Sequence, residues 1–295
     1  MKLAVVGSIN LDMTVTAERI PQKGETLTGS NISYIPGGKG ANQAVAMARL
    51  GADVTMFGCV GADGAGAQLL ENLKEQGVNT QFIKVCQGVP TGIASITVAE
   101  NDNTIIVVAG ANHKVDEDYV EEISKELLDY DMVVLQHEIP LTTVKKVMEF
   151  CYQNQIDVIL NPAPAFPLDL EMIEKATYIT PNEHEAKIIF GDQSREEMLK
   201  KYPEKLIITL GAKGVTTCLK SGEILTVPVR PAKVVDTTGA GDTLNGAFAF
   251  IKSRGVTMEE ALRFANTAAS LSTEKFGAQG GMPTFDEVTN GLKEI

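Results

Sequence analysis

Residues 236–251 read DTTGAGDTLNGAFAFI, a turn of small residues that opens directly into an apolar segment of helical length. Glycines at 239 and 241 let the backbone approach a ligand, because no Cβ atom stands in the way. The first amides of such a helix have no intrahelical acceptor and favour an anion. Asp242 then has two interpretations: it caps the helix, or it takes a proton from an attacking hydroxyl while the amides hold a phosphoryl group. The choice depends on whether the rest of the chain supplies a sugar site and a nucleotide site.

Composition narrows the possible partners. The 295 residues are 44% hydrophobic, enough for one large domain with an appendage. A net charge of −12 without a basic run argues against nucleic acid or an anionic membrane. ATP remains compatible, since amides and a metal can hold phosphates on an acidic protein. The apolar run after the first two residues, Leu3–Val6, has the length of a strand and is too short for a signal segment, so we expect a cytoplasmic location. The four cysteines are widely spaced, and we expect them to be reduced thiols.

Strands and helices alternate along most of the chain, which predicts a mostly parallel sheet covered by helices on both faces. Two pieces depart from this alternation. Strand patterns at 13–17 and 25–35, and a hairpin pattern over 93–99 and 104–109, have period-2 alternation. We therefore predict an α/β domain over 1–12, 37–92 and 110–295, and a small separate β-sheet, discontinuous in sequence, over 13–36 and 93–109.

Polar residues follow several predicted strands, where the ligand crevice of an open α/β sheet lies. Such positions are Asn10 and Asp12, Gln136 and Glu138, Asn161, Asn182 to Glu185, and Thr209 to Gly214. Each has an alternative as a turn or a cap, but several at one rim predict a ligand site. Neither GxxxxGK[ST] nor GxGxxG after a strand occurs, so a Walker-type loop and a dinucleotide fingerprint are absent from the sequence.

Two segments, GGKGANQA at 37–44 and DTTGAGDT at 236–243, resemble the two signatures of the ribokinase-like (PfkB) sugar kinases. The resemblance runs in order along the whole chain and includes GSINLD at 7–12, NPAPA at 161–165 and TPNEHEA at 180–186. It implies a three-layer αβα sandwich with a mostly parallel central sheet and a small β-sheet lid. It also implies ATP-dependent phosphorylation of D-ribose at O5, with Mg²⁺ and a monovalent cation, K⁺, as cofactors. A small sheet alone is marginally stable and exposes an apolar face that includes Ile105 and Val107, so we expect a homodimer that pairs through the lid.

The resemblance also implies roles for individual residues. The sugar ligands would be Asn10, Asp12, Gly38, Lys39, Asn42, Glu138 and Asp242. Asp242 would be the general base, and the developing phosphoryl charge would meet the amides of Gly239, Ala240 and Gly241. The nucleotide, with magnesium reached through water by Glu185, would contact Asn182, Glu185, Thr209, Gly211, Gly214, Gly241 and Asn266. The monovalent cation would lie among Asp236, Thr238, Ser272, Lys275, Gly277 and Gly281, mostly on carbonyl oxygens.

The sequence leaves two alternatives open, one for the sugar acceptor and one for the activity itself. Deoxyribose or a nucleoside such as pseudouridine could replace ribose, because one hydroxyl separates the two sugars and the sequence does not show which hydroxyl Asp12 or Asn42 meets. A sugar-binding sensor without catalysis is a second alternative, against which the intact Asp242 and glycine turn argue.

Overall fold

The computed structural model describes residues 1–100 and 102–294. The strands are β1 (Lys2–Val6), β2 (Asn10–Thr16), β3 (Asn31–Gly37), β4 (Asp53–Gly61), β5 (Asn79–Cys86), β6 (Gly92–Ala99), β7 (Asp102–Val108), β8 (Met132–Gln136), β9 (Asp157–Asn161), β10 (Tyr178–Ile179), β11 (Ile207–Thr209), β12 (Val215–Cys218) and β13 (Ile224–Val227). The helices are α1 (Lys39–Arg49), α2 (Gly64–Glu75), α3 (Glu117–Leu127), α4 (Leu141–Gln153), α5 (Leu170–Lys175), α6 (Glu183–Phe190), α7 (Arg195–Lys201), α8 (Ala240–Lys252), α9 (Met258–Ser272) and α10 (Phe285–Gly291). Asn101, in the predicted hairpin turn, and Ile295, at the end of the predicted catalytic domain, lie outside the described residues.

The central sheet has six strands in the order β10-β9-β8-β1-β4-β5, and every pair is parallel. Its strands are apolar on both faces. Leu3 and Val5 of β1 pack into one core, whereas Ala4 and Val6 pack into the other. Helices therefore cover both faces, and the predicted three-layer αβα architecture is confirmed. Parallel bridges from Ile179 to Leu206 and from Asn182 to Thr209 join this sheet to the antiparallel strands β11-β12-β13.

A second sheet has the order β3-β2-β6-β7. The β2–β3 and β6–β7 pairs are antiparallel, and β2 and β6 are parallel at its centre. Each of the four segments in which the sequence has period-2 alternation contributes a strand to this sheet. None of the described helices combines the length and the apolar character that a membrane crossing requires.

The strand boundaries in the second sheet differ from the sequence prediction. β2 begins at Asn10 rather than at Met13, so Asn10 and Asp12 belong to the second sheet instead of ending β1. The strand predicted over 25–35 is formed only from Asn31 onward. The reason is register: β2 ends at Thr16, which pairs with Asn31, and the residues before Asn31 have no strand beside them. Period-2 alternation in the sequence is not enough for a strand to form where no neighbouring strand can pair with it. The sequence reading also left out β5, α5 and α7.

Candidate active site

Asp242 lies in the first turn of α8 and does not cap its own helix. The cap position is Gly239, in the left-handed region at φ 77°, where a Cβ atom would come within 2.8 Å of the Ala278 Cα. The Asp242 carboxylate instead accepts hydrogen bonds from α1: Asn42 Nδ2 donates to Oδ2 at 3.0 Å and Gln43 Nε2 donates to Oδ1 at 3.0 Å. The capping interpretation of Asp242 is therefore wrong.

Close packing of α1 against α8 produces this contact. Gly246 of α8 lies directly against α1, and a Cβ atom there would come within 2.7 Å of the Ala46 Cβ. At the other end of α1, Gly38 adopts φ 88° and would bring a Cβ atom within 2.7 Å of the Asn10 amide nitrogen. These glycines allow the backbones to approach, so the amide side chains of α1 reach the carboxylate on α8.

The turn before α8 and the first turn of that helix contain backbone amides that donate no hydrogen bond. In the part of the chain that the structure describes, the N–H groups of Gly239, Gly241 and Asp242 have no acceptor, whereas the Ala240 amide donates to the Thr237 carbonyl at 3.2 Å. Of the three amides predicted for the phosphoryl group, the Ala240 amide is therefore already engaged. The remaining donors and the helix dipole favour a negative charge at this point.

A cavity of about 510 Å³ opens beside this turn. It is lined by five of the residues predicted to contact the nucleotide, Thr209, Gly211, Gly214, Gly241 and Asn266. Gly214 lies directly on β13, where a Cβ atom would come within 1.9 Å of the Val227 carbonyl oxygen. The side chain of Asn266 is already engaged, since its Nδ2 donates to the carbonyls of Val227 and Pro228, the latter at 2.7 Å.

Asn182 and Glu185, the other two predicted nucleotide residues, form a capping box at the start of α6. The Asn182 Oδ1 accepts from the Glu185 amide at 2.9 Å, and the Glu185 Oε2 accepts from the Asn182 amide at 2.8 Å. Burial raises the pKa of Glu185, with Asp242 acting in the same direction and Lys39 opposing. The Glu185 carboxylate therefore lies within electrostatic range of Asp242 and Lys39, while it also has a structural role as a cap.

A cleft of about 350 Å³ separates the second sheet from the central sheet and has Asn10 and Glu138 in its lining. The Asn10 carboxamide accepts from Asn112 Nδ2 at 2.7 Å. The Glu138 Oε2 accepts from Ser8 Oγ at 2.6 Å and from the Lys39 amide at 3.0 Å. Of the predicted sugar residues, Asn10 and Glu138 therefore line the cleft, and the backbone of Lys39 contacts Glu138.

Four acidic groups surround Lys39. Burial lowers the pKa of its ammonium group, but the charges of Asp242, Glu138, Glu185 and Asp12 outweigh burial, and the net shift is upward. Burial also raises the pKa of Asp12, together with the charges of Glu138 and Asp242, to about 7. One lysine therefore balances carboxylates from both sides of the site.

The raised pKa of Asp12 predicts a pH-dependent stability. Between 3.8 and about 7 the folded chain holds a proton on Asp12 that the unfolded chain releases. The contribution of the protonated Asp12 to the free energy of unfolding is full below that window and is lost as the pH rises through it. In Asp12→Asn this contribution is absent, so the melting temperature of the variant relative to the parent should rise across the window and stay constant above it.

Thermal melts of the ligand-free chain at a series of pH values measure this difference. Asp118→Asn on the exposed face of α3 is the matched control and should run parallel to the parent. An Asp12→Asn curve that also runs parallel to the parent would contradict the raised pKa.

The predicted cation residues gather around the turn before α8. The Asp236 carboxylate accepts from the Thr238 amide at 2.9 Å and from the Gly277 amide at 2.9 Å. Burial acts to raise the pKa of Asp236, but these hydrogen bonds outweigh it and hold the pKa below its ordinary value. Gly281 packs on the Ser272 carbonyl, which a Cβ atom would approach to 1.9 Å. The Lys275 ammonium points instead to Glu287, 3.7 Å away.

Several site residues were missed by sequence reasoning. Gln43 links Asp242 to Asn161 Oδ1, at 3.1 Å, and accepts from Gln136 Nε2 at 2.6 Å. Gln279 donates to Asn42 at 3.0 Å. Gln43 stands beside Asn42 in the segment 37–44, and that adjacency was a usable signal. For Asn112 and Gln279 the sequence offered no signal, because only tertiary contacts bring them to Asn10 and Asn42.

Comparisons with known proteins identify the family of the chain. Residues 1–285 match the pfkB family of carbohydrate kinases. The chain is 50% identical over 286 residues to the ribokinase of Bacillus subtilis, covering 97% of each chain, and 47% identical over 296 residues to that of Lactococcus lactis, covering 100% of this chain and 98% of the other. The structure of Arabidopsis thaliana ribokinase complexed with ribose and ATP superposes with a TM-score of 0.89 at 32% identity, covering 99% of this chain and 98% of the other. The chain belongs to the pfkB family of carbohydrate kinases.

Proposed function

We propose that the chain phosphorylates D-ribose at O5 with ATP, giving D-ribose 5-phosphate. The observation that carries the proposal is the position of Asp242. Asn42 and Gln43 hold its carboxylate directly after Gly241, which lines the larger cavity. The carboxylates of Asp242, Asp12 and Glu138 all act on the charge of Lys39, and Glu138 lines the cleft. The relatives reported above are ribokinases, and one of them was solved with ribose and ATP.

In the proposed mechanism, O5 of the sugar attacks the γ-phosphorus as the bond between that phosphorus and the ADP oxygen breaks. The proton of O5 passes to Asp242. A carboxylate suffices as the base, because it accepts the proton late, from a hydroxyl already losing electron density. The amides of Gly239 and Gly241 stabilise the charge that develops on the transferring group.

The cleft side supplies the sugar contacts. Asn10, Asp12, Asn42 and Glu138 would offer carboxamide and carboxylate groups to hydroxyls. Gly38 and Lys39, at the start of α1, would close over the sugar. We propose that the second sheet covers the sugar as a lid on the α/β catalytic domain. The domain bounds expected from sequence, 13–36 and 93–109 for the lid and 1–12, 37–92 and 110–295 for the catalytic domain, leave the first residues of β2 and β6 outside the lid. Closure of the lid would exclude water and limit hydrolysis of ATP.

Magnesium fits the Asn182–Glu185 position only through water and phosphate oxygens. The two side chains already cap α6, and within residues 1–100 and 102–294 no group of three or more His, Cys, Asp or Glu side chains could hold a metal directly. Magnesium keeps much of its water shell when it binds nucleotides, which suits this arrangement. When bound, it would neutralise charge on the phosphates, and Glu185 would orient its water ligands.

A monovalent cation such as potassium fits the loop around Asp236. The Asp236 carboxylate is ionised, and the segment from Ser272 to Gly281 folds back to contact it through the Gly277 amide. The predicted ligands would be Asp236, Thr238, Ser272, Gly277 and Gly281; the ammonium group of Lys275 is directed elsewhere, so only its carbonyl could serve. The cation would supply positive charge beside the free amides.

The lid has a second apolar face, which we propose is covered by the lid of a second copy in a homodimer. Strand alternation places Ile105 and Val107 on the face of Asp12, and Ile106 and Val108 on the opposite face with Ile32 and Tyr34. Ile106 is 69% exposed and Tyr34 is 54% exposed. Such a contiguous apolar face is unusual on a monomer.

Light scattering at micromolar concentration should therefore give twice the 31.6 kDa of one chain. Ile106→Glu places a charge on the outer lid face and should shift the mass to that of a monomer. Leu128→Glu, at an exposed apolar position beyond α3, is the matched control and should stay dimeric. A monomeric parent would reject the homodimer.

A coupled assay of ADP release tests the proposed activity with ribose, deoxyribose, fructose and adenosine, each with potassium or sodium. Ribose with potassium should give the highest kcat/KM. A higher value for deoxyribose or for the nucleoside would replace ribose as the acceptor, and no release with any of them would support the sensor. The proposed reaction places the enzyme in the cytoplasm, where ATP is available.

A further inference from the structure

Gln279 is a buried side chain to which the mechanism above assigns no role. It lies in the loop between α9 and α10, is 6% exposed, and has a hydrogen bond at each end of its carboxamide. Its Nε2 donates to Asn42 Oδ1 at 3.0 Å, and its Oε1 accepts from Asn72 Nδ2 on α2 at 2.9 Å. Asn42 in turn donates to Asp242. The four side chains form one directed chain of hydrogen bonds that ends on the carboxylate.

The direction of these bonds matters. A carboxamide presents an acceptor on one side and donors on the other. If Asn42 rotated by half a turn, its Oδ1 would face Asp242 Oδ2, which would then lose its donor, while Gln43 would still donate to Asp242 Oδ1. The Gln279 N–H group opposes that rotation, because it requires an oxygen at the near side of Asn42.

The backbone of Gln279 is fixed as firmly as its side chain. Arg49 Nη1 donates to the Gln279 carbonyl at 2.6 Å and to the Met282 carbonyl at 2.9 Å, while Arg49 Nε donates to Gln76 Oε1 at 2.8 Å. Asn72 belongs to α2 and Gln76 ends it, and neither lines the cleft or the nucleotide cavity. The hydrogen bonds that hold Gln279 therefore come from half-buried side chains outside the two proposed ligand spaces.

We propose that Gln279 is a positioning residue, which acts on the reaction through Asn42 by fixing the orientation of the carboxamide that holds Asp242. The proposal rests on the assignment of Asp242 as the base. It predicts that the donor at position 279 matters more than the volume there, since only an N–H group selects one orientation of Asn42.

Gln279→Glu separates these two properties. The substitution keeps the shape and the acceptor for Asn72 but removes the donor, so Asn42 should turn its amide toward position 279 and its oxygen toward Asp242. Misplacing a reacting group by a small distance can cost about 100-fold in rate. We expect kcat/KM for ribose to fall by about 10- to 100-fold in Gln279→Glu, with a change in both kcat and KM because Asn42 contacts the sugar as well. Gln279→Ala, which also lacks the donor, should show the same direction without an added charge.

Gln76→Ala is the matched control. It removes a glutamine from the same neighbourhood that contacts Arg49 but is not in the chain, and it should stay within about twofold of the parent. Thermal melts confirm that each variant is folded. A Gln279→Glu variant whose kcat and KM equal those of Gln76→Ala would overturn the proposal.

A double-mutant cycle shows whether Gln279 acts through Asn42. In an Asn42→Ala background, Gln279→Glu should change kcat/KM by no more than about twofold, because the intermediary is absent. Equal effects in both backgrounds would overturn the proposal and indicate a general structural role.

The side-chain amide resonances of Asn42 provide a readout that does not need turnover. In ¹⁵N-edited NMR spectra they are assigned by their loss in Asn42→Ala, and they should shift in Gln279→Glu but not in Gln76→Ala. Unchanged resonances would contradict the positioning role. A parent that releases no ADP with ribose would reject the proposed acceptor instead, and the NMR comparison would still report on Asn42.

Discussion

Asp242→Asn should lower kcat by about 100- to 10,000-fold, which is the usual contribution of a positioned general base. The variant loses the proton acceptor but keeps the shape of the side chain, so sugar binding should be weakened much less than turnover. The donors Asn42 and Gln43 both point at the carboxylate, and an asparagine offers an acceptor to only one of them. One amide must therefore reorient, and we expect a small change in the sugar KM.

Pre-steady-state and steady-state ADP release, with sugar binding measured by calorimetry, separate these effects. Asp116→Asn is the matched control, since Asp116 caps α3 through the Tyr119 amide and lies outside the site. It should leave kcat unchanged. Turnover in Asp242→Asn comparable to that of the control would remove Asp242 from the mechanism.

Gly241→Ala should abolish most turnover while leaving the fold intact or slightly more stable. No atom lies within 4 Å of the position that a Cβ atom on Gly241 would take, and that position faces the cavity of about 510 Å³. Alanine is favoured over glycine inside a helix by about 0.5–1 kcal/mol. The new methyl group would occupy the place proposed for the transferring phosphoryl group, and loss of one such stabilising contact typically costs about 100- to 1,000-fold in kcat.

Gly239→Ala is the contrasting variant. Gly239 has φ 77° and contacts Ala278, so an alanine there is strained and should lower the melting temperature. Melting curves and ADP release on the two variants therefore distinguish a lost phosphoryl site from a damaged fold. If Gly241→Ala turned over at the parent rate, the phosphoryl group could not lie on this turn.

Sequence reasoning reached the architecture because both of its signals are local. Continuous apolar segments such as Leu3–Val6 and Met132–Leu135 must be buried on both faces of a sheet. Helices on each side of a parallel sheet provide that burial. In the turn before α8, Gly239 has φ 77°, a backbone conformation that few other residues adopt, so a glycine at this position is also a local signal.

Register and long-range contacts were decided only by the tertiary structure. Asn10 and Asp12 were placed after β1 by sequence, yet they belong to β2, because pairing with β3 and β6 determines where that strand begins. Gln279 meets Asn42 across 237 positions of sequence, and no local pattern marks Gln279. The sequence by itself determined which residue types the chemistry needs and which elements carry them. Their mutual orientation, including the acceptors and donors that surround Asp242, depended on how α1, α8 and the loop before α10 pack together, since hydrogen-bond geometry is set in space and not along the chain.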